Sequence, residues 1–233
     1  MKRAGHLIER IADGDNLRLA FWKASKGKRA RADVLAFRDD LDCHLRCLRE
    51  ALLDGSHAWG PYSKFCVRDP KERTIYAPPL RDQVAQHAIM NVCGERFERF
   101  QIHDSYASRK GKGLDAAIAR SRRFARHGDW YLKLDVRKYF DSVDHETLQG
   151  LLRRQFKDVA VLSLFDGIIE SYVATPGRGL PLGNLTSQFF ANHYLGVFDH
   201  FVKQTLGCRR YVRYMDDLRS EEHTSELQSQ FRI

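Results

Sequence analysis

The sequence predicts a mixed α/β (α+β) chain, a sheet with helices on one face of the split βαβ kind. Three observations point there. Strand and helix patterns alternate through the second half; two of those strand patterns, 131–136 and 209–214, run into acidic residues; and the first half is helical by apolar spacing around one hairpin pattern. With 233 residues, 43% of them hydrophobic, the chain is long and apolar enough for a real core. No apolar run approaches the roughly 18 residues of a membrane span. The opening residues also carry acids where a signal peptide needs an apolar stretch. The expectation is a soluble, cytoplasmic protein with no membrane partner.

The elements follow in order. Leu7, Ile8 and Ile11 predict a short opening helix, broken at Gly14; Asp15 or Asn16 then caps a second helix carrying Leu17, Leu19, Ala20, Phe21 and Trp22. Leu41, Leu45, Leu48 and Leu52 recur at spacings of four, three and four, which predicts one amphipathic helix over 33–53, ended by Asp54-Gly55. Alternation at 62–68 and a return at 74–77 predict a hairpin turning at Asp69-Pro70-Lys71-Glu72 and stopped by Pro78-Pro79. Residues 81–100 read as helix. After the strand at 131–136, Asp144 caps a helix with Leu148, Leu151 and Leu152, and 159–174 is helical. The run Thr175-Pro176-Gly177-Arg178-Gly179 makes a loop, 185–206 a long helix, and 209–214 a strand ending in Met215-Asp216-Asp217.

Lys and Arg exceed Asp and Glu by 39 to 30, a formal charge of +9. Residues 108–126 hold seven basic residues against one Asp, and 23–31 hold five with no acid, so a polyanion is the natural partner. The five cysteines show no paired zinc or redox spacing, and Cys43 and Cys47, which share a helix face, read as packing residues.

Asp135 lies in an otherwise apolar strand, and a lone buried carboxylate there requires a cation. Asp216 and Asp217 stand at the end of a second such strand, where a tight turn brings adjacent carboxylates to one site. If the two strands are neighbours, Asp135 and Asp216 converge, and oxygen ligands of this kind suit Mg²⁺. The alternative is an Asp135 pair with Lys133 or Arg137 and a plain hairpin turn.

The motifs narrow this choice. Tyr214-Met215-Asp216-Asp217 resembles the YMDD box of reverse transcriptases. The run from Leu134 to His145 (LDVRKYFDSVDH) resembles their first palm motif, and Gly179 to Gln188 (GLPLGNLTSQ) their dNTP-binding loop and following helix. Upstream blocks at 73–79, 81–88 and 104–113 extend the likeness over nearly all of 5–218. Leu182 before the glycine and Gln188 after the serine resemble the enzymes of diversity-generating retroelements, which copy a template RNA with errors at adenines. Where others place a Gln that can hydrogen-bond the nucleotide sugar, Leu182 offers only apolar contact. The alternatives are a group II intron-type reverse transcriptase and a non-catalytic basic RNA-binding fragment.

The resemblance implies an RNA-directed DNA polymerase with a right-hand fold: a helical segment at 1–60, fingers at 61–127 and a partial palm, split βαβ (ferredoxin-like), at 128–218, the thumb missing. It implies Asp135, Asp216 and Asp217 as catalytic and, with Val136, as the ligands of two Mg²⁺ ions, for which Mn²⁺ substitutes. Lys71, Arg73, Arg81, Phe140, Leu182, Gly183 and Gln188 are implied at the dNTP, with Phe140 as the steric gate against a 2′-hydroxyl. Arg109, Lys110, Lys112 and Tyr214 are implied at nucleic acid. Its implied partners are template RNA, a DNA primer, dNTPs and a small basic accessory protein, in a bacterial or phage-encoded system.

From Arg219 onward the composition turns acidic, and Arg219 to Ser229 resembles a translated sequencing-library adapter. Residues 219–233 are therefore expected to be non-native and disordered, leaving the hairpin without its second strand. The truncated chain as written is expected to have little or no processive activity. Sequencing unamplified source DNA across codon 218 tests the adapter reading.

Overall fold

The computed structural model describes residues 3–69, 71–126 and 130–222, and divides the chain into two compact units interleaved along the sequence. One comprises Met1–Phe97 and Phe140–Phe190; the other comprises Glu98–Tyr139 and Ala191–Ile233. The chain passes from the first unit to the second and back before ending in the second. Among the described residues no helix is long and apolar enough to cross a membrane.

In the first unit, α1 (Ile8–Ile11) and α2 (Gly14–Ser25) lead to α3 (Ala32–Asp39) and α4 (Leu41–Asp54). The cap of α2 is Asp13, whose carboxylate accepts from the Asp15 and Asn16 amides, rather than Asp15 or Asn16 themselves. The single helix expected over 33–53 is two, because Asp40 leaves helical geometry at φ −129°, ψ 53°. The break lets Phe37 stack on both Phe21 and His44, at centroid distances of 5.3 and 4.6 Å. Gly55, at φ +76°, closes α4 in the left-handed conformation that glycine adopts freely. Cys43 and Cys47 are exposed on α4, not packed.

Strands β1 (Ser63–Asp69) and β2 (Lys71–Ala77) form a separate antiparallel hairpin; Pro70 of its expected turn lies outside the described residues. After α5 (Leu80–Phe100), the first unit is completed by α8 (His145–Gln155), capped as expected by Asp144 on the Thr147 amide at 2.9 Å, and by α9 (Val159–Glu170). An aromatic cluster forms its centre. Phe97, Phe156, Phe165 and Phe190 are all buried, with Phe156 and Phe165 5.2 Å apart and Phe165 and Phe190 5.4 Å.

The second unit holds α6 (Leu114–Ala125) and a three-stranded sheet of β3 (Trp130–Asp135), β4 (Tyr211–Tyr214) and β5 (Asp217–Glu222). Along the chain between β3 and β4, α7 (Tyr139–Ser142) belongs to the first unit from Phe140 on, and α10 (Leu185–His200) begins in the first unit and ends in the second; the expected continuation of α10 to 206 is a π-helical turn, Phe201–Thr205. The strand order is β3-β5-β4, with β5 antiparallel to both neighbours. Strands β3 and β4 therefore run parallel around a central antiparallel strand, a split βαβ arrangement.

That order revises two expectations. The strands bearing Asp135 and Asp216 are not neighbours, since β5 lies between them. Nor is the second hairpin strand missing: residues 217–222 are the centre of the sheet, because Leu218 packs in the core with Tyr211, Val202 and Cys208 while main-chain hydrogen bonds hold both edges. The rest of the proposed tail, 223–233, lies outside the described residues.

Candidate functional site

Cross-strand register places Asp135 directly opposite Asp217, and Tyr214 opposite Asp217 on the other side. Directly opposed residues share a sheet face, so Lys133, Asp135, Asp217, Arg219, Val212 and Tyr214 form one face. Leu134, Leu218, Arg213 and Tyr211 form the other. The inner face packs against Val202, Cys208, Phe198 and Leu206; part of the outer face meets α6 through Val212, Ala117 and Phe124.

Asp135 ends β3 and is exposed, so it is not the buried acid expected from the apolar strand around it. What calls for a cation is the facing pair: like charges directly opposite on a sheet repel. Lys133 Nζ stands 3.5 Å from an Asp217 carboxylate oxygen and supplies part of that cation, with both side chains about half exposed.

Asp216 occupies the two-residue turn between β4 and β5 and accepts at its carbonyl from the Val136 amide at 3.4 Å. The other turn residue, Met215, adopts φ +54°. A bulky residue held there costs on the order of 1–3 kcal/mol and persists only when its surroundings over-determine it. Buried Arg213 is part of those surroundings: its Nη1 donates to the Met215 carbonyl at 2.9 Å.

Among the described residues no three acidic, His or Cys side chains gather as a cage for a metal ion. Asp135, Asp216 and Asp217 share one end of the sheet without closing on a common point. Mg²⁺ needs no cage, since it takes one or two carboxylates and completes its shell with water and phosphate oxygens. The donor set, and the part of the Asp135–Asp217 charge that Lys133 leaves unmet, fit such an ion.

Beside this face runs a groove of about 270 Å³ lined by Leu114, Ile118 and Arg122 of α6 and by Tyr214, Asp217 and Arg219 of the sheet. Arg122 and Arg219 were not singled out from sequence, and the structure sets both beside the expected Tyr214. Lys110 is exposed. Arg109 is placed otherwise than expected. Its guanidinium meets the Glu98 carboxylate at 2.6 Å and the Ile102 and Ser105 carbonyls at 2.7 and 2.6 Å, with a side chain 8% exposed. Spent internally, it fixes its own loop rather than offering a charge to phosphate. Lys112 is partly committed too, donating to the His103 carbonyl at 2.9 Å and lying over the Tyr106 ring. Nearby, burial pushes the Asp104 carboxyl up, but Arg120 at 2.8 Å and Lys203 at 3.0 Å outweigh it and hold it below the usual range.

The residues expected at the nucleotide lie in the first unit. Arg73 and Arg81 are exposed; the side chain of Lys71 lies outside the described residues. Phe140 is half-buried, and its carbonyl accepts from the Leu180 amide at 2.7 Å. The Leu182 carbonyl accepts from the Tyr76 amide at 2.6 Å, which ties the loop to β2. Gly183 follows at φ +124°, where a Cβ would stand 2.6 Å from the Tyr76 carbonyl oxygen, so only glycine fits.

Gly183 and Gln188 also line a cavity of about 360 Å³ with Lys28, Gln86 and His87, none of which sequence reasoning assigned a role there. Gln86 Oε1 accepts from the Leu185 amide at 3.1 Å, satisfying an orphan donor at the start of α10. Burial, then Lys23 and Lys28, push the His87 imidazole down to about 4.

No protein-family model matches the chain. By sequence it is 26% identical over 164 residues to the group II intron-encoded protein LtrA of Lactococcus lactis subsp. cremoris, covering 66% of this chain and 27% of that one. It is 22% identical over 210 residues to the putative COX1/OXI3 intron 1 protein of Saccharomyces cerevisiae, covering 85% and 25% respectively. The chain thus spans about a quarter of the length of these curated relatives. Among solved structures it is similar to a chain of a partial Cas6-RT-Cas1–Cas2 complex, with TM-score 0.54 and 17% identity over 94% of this chain and 38% of that one, a likeness of fold. The relatives by sequence are thus intron-encoded proteins, and the solved neighbour shares the fold of this chain.

Proposed function

We propose that the chain is the core of an RNA-directed DNA polymerase of a retroelement, adding deoxynucleotides to a DNA primer on an RNA template. The observation that carries this reading is the Asp135–Asp217 pair on an exposed sheet face, with Asp216 in the adjoining turn. Two Mg²⁺ ions, when bound with substrate, supply activation of the primer 3′-hydroxyl and neutralisation of the departing pyrophosphate. Asp135, Asp216 and Asp217, with the main chain at Val136, provide the oxygen donors. The Leu182–Gly183 backbone, pinned to β2, shapes the nucleotide site; Phe140 excludes the 2′-hydroxyl, and Arg73, Arg81 and Lys71 offer charge to the triphosphate. Lys110, with Arg122 and Arg219 beside Tyr214, offers it to nucleic acid.

Two subclasses compete. Leu182 and Gln188 favour a diversity-generating retroelement enzyme, with a small basic accessory protein as partner; the intron-encoded relatives favour a group II intron type. Error spectra on an adenine-rich template separate them.

The test is Mg²⁺-dependent addition of a single deoxynucleotide to a DNA primer on RNA, which does not require processivity. Asp216→Ala should abolish addition and keep RNA affinity. Addition by the Asp216→Ala protein rejects the site. A folded wild-type chain that binds RNA without adding nucleotide supports the basic RNA-binding alternative.

A further inference from the structure

We propose that Arg213 is a positioning residue: its buried guanidinium holds Met215 in the left-handed conformation and so sets where the turn presents Asp216. The inference rests on the polymerase reading for its consequence in synthesis, but not for the bracing itself.

Arg213 and Asp199 are both fully buried, so this charge is inaccessible to nucleic acid. Arg213 Nε and Nη2 grip the two Asp199 oxygens at 2.7–2.9 Å. Asn192 Oδ1 and the Met215 carbonyl share Nη1, both at 2.9 Å, and Gln101 Oε1 and the Asn192 carbonyl take Nη2 at 3.2 and 3.3 Å. Tyr211 donates to Asp199 at 2.7 Å, so the acceptor side of the pair is fixed as well. The main chain of Arg213 is pinned in turn, its amide donating to Asp104 and its carbonyl accepting from Tyr106, at 2.9 and 3.0 Å.

Every donor of the fork is thus occupied, and one of them reaches the residue whose backbone is strained. A planar fork can hold a carboxylate in two places and still reach the Met215 carbonyl; a lysine ammonium, with its donors on one atom, cannot. Displacing a reacting group by about 1 Å costs on the order of 10²-fold in rate.

Two measurements on the 233-residue chain test this. Amide hydrogen exchange at Val136, whose amide donates to the Asp216 carbonyl of the turn at 3.4 Å, reads the bracing without synthesis, and single-turnover nucleotide addition reads its effect. Arg213→Lys should speed exchange at Val136 about tenfold more than at Leu218, and slow addition about 10²-fold with half-saturating dNTP within about twofold. Since glycine adopts positive φ freely, Arg213→Lys should slow a Met215→Gly background about threefold or less. An all-apolar replacement, Tyr211→Phe with Asp199→Leu and Arg213→Met, covers the case in which a mismatched buried charge prevents folding. It should melt near the wild-type temperature yet lose addition about as fully as Arg213→Lys. Unchanged exchange at Val136, additive rate effects, or wild-type addition by the folded apolar variant would each overturn the proposal. Faster exchange in a chain whose wild type adds no nucleotide keeps the bracing and rejects the polymerase reading.

Discussion

Asp135 and Asp217 stand directly opposite one another in the register of β3 and β5. Each lies on the sheet face opposite the one that buries Tyr211, Arg213 and Leu218, so neither carboxylate can withdraw by turning inward. Their repulsion, offset in part by Lys133 at 3.5 Å from Asp217, is a cost of the fold that a bound metal ion would relieve.

Removing one of the two charges should therefore separate stability from function. Asp135→Asn is expected to raise the metal-free melting temperature by about 1–3 °C, while abolishing nucleotide addition. Mg²⁺ should raise the wild-type melting temperature and leave that of Asp135→Asn nearly unchanged. Differential scanning fluorimetry with and without Mg²⁺ measures both, and an equal response of the two proteins would remove the cation from this pair.

Gly183→Ala should destabilise the chain by about 1–3 kcal/mol, since the new Cβ meets the Tyr76 carbonyl oxygen at a φ that L-residues avoid. Gly111→Ala, also at positive φ but with nothing within 4 Å, should cost only about 1 kcal/mol. Urea denaturation of the two variants gives the comparison.

His87 predicts a pH dependence. Its folded pKa of about 4 lies below the ordinary 6.5, so between these values the unfolded chain binds the extra proton. Stability from keeping His87 neutral is thus complete above pH 6.5 and is lost as pH falls towards 4. In His87→Gln the slope of stability against pH should flatten in that window. An unaltered slope would assign the acid sensitivity to other groups.

Arg109 and Lys110 are adjacent and should behave oppositely. Arg109→Ala removes an almost buried guanidinium bound to Glu98 and two carbonyls, and should cost about 2–3 kcal/mol of stability. Lys110→Ala should leave stability within about 0.5 kcal/mol and reduce the salt dependence of RNA binding by roughly one phosphate contact. Thermal melts and binding isotherms at several salt concentrations tell them apart.

The contrast between these two residues marks the limit of sequence reading. Local chemistry was legible: the Asp144 cap, the β1–β2 hairpin and both strands ending in acids follow from patterns a few residues long. The role of a cation was not, because it depends on whether a distant acid consumes it. Arg109 meets Glu98 and Arg213 meets Asp199, eleven and fourteen positions away. The break at Asp40 escaped for a similar reason, its benefit being the contact of Phe37 with Phe21. Residues 219–222 looked foreign by composition, yet a central strand asks chiefly for main-chain pairing and an apolar residue at Leu218.

The strand order bears on the timing of folding during synthesis. The central strand is the last of the three to leave the ribosome, so β3 emerges with no partner and waits about 80 residues for one, while β4 waits only for its own turn. Until residues 217–222 are made, the edges of β3 are open to pairing with other chains, a window in which aggregation competes with folding.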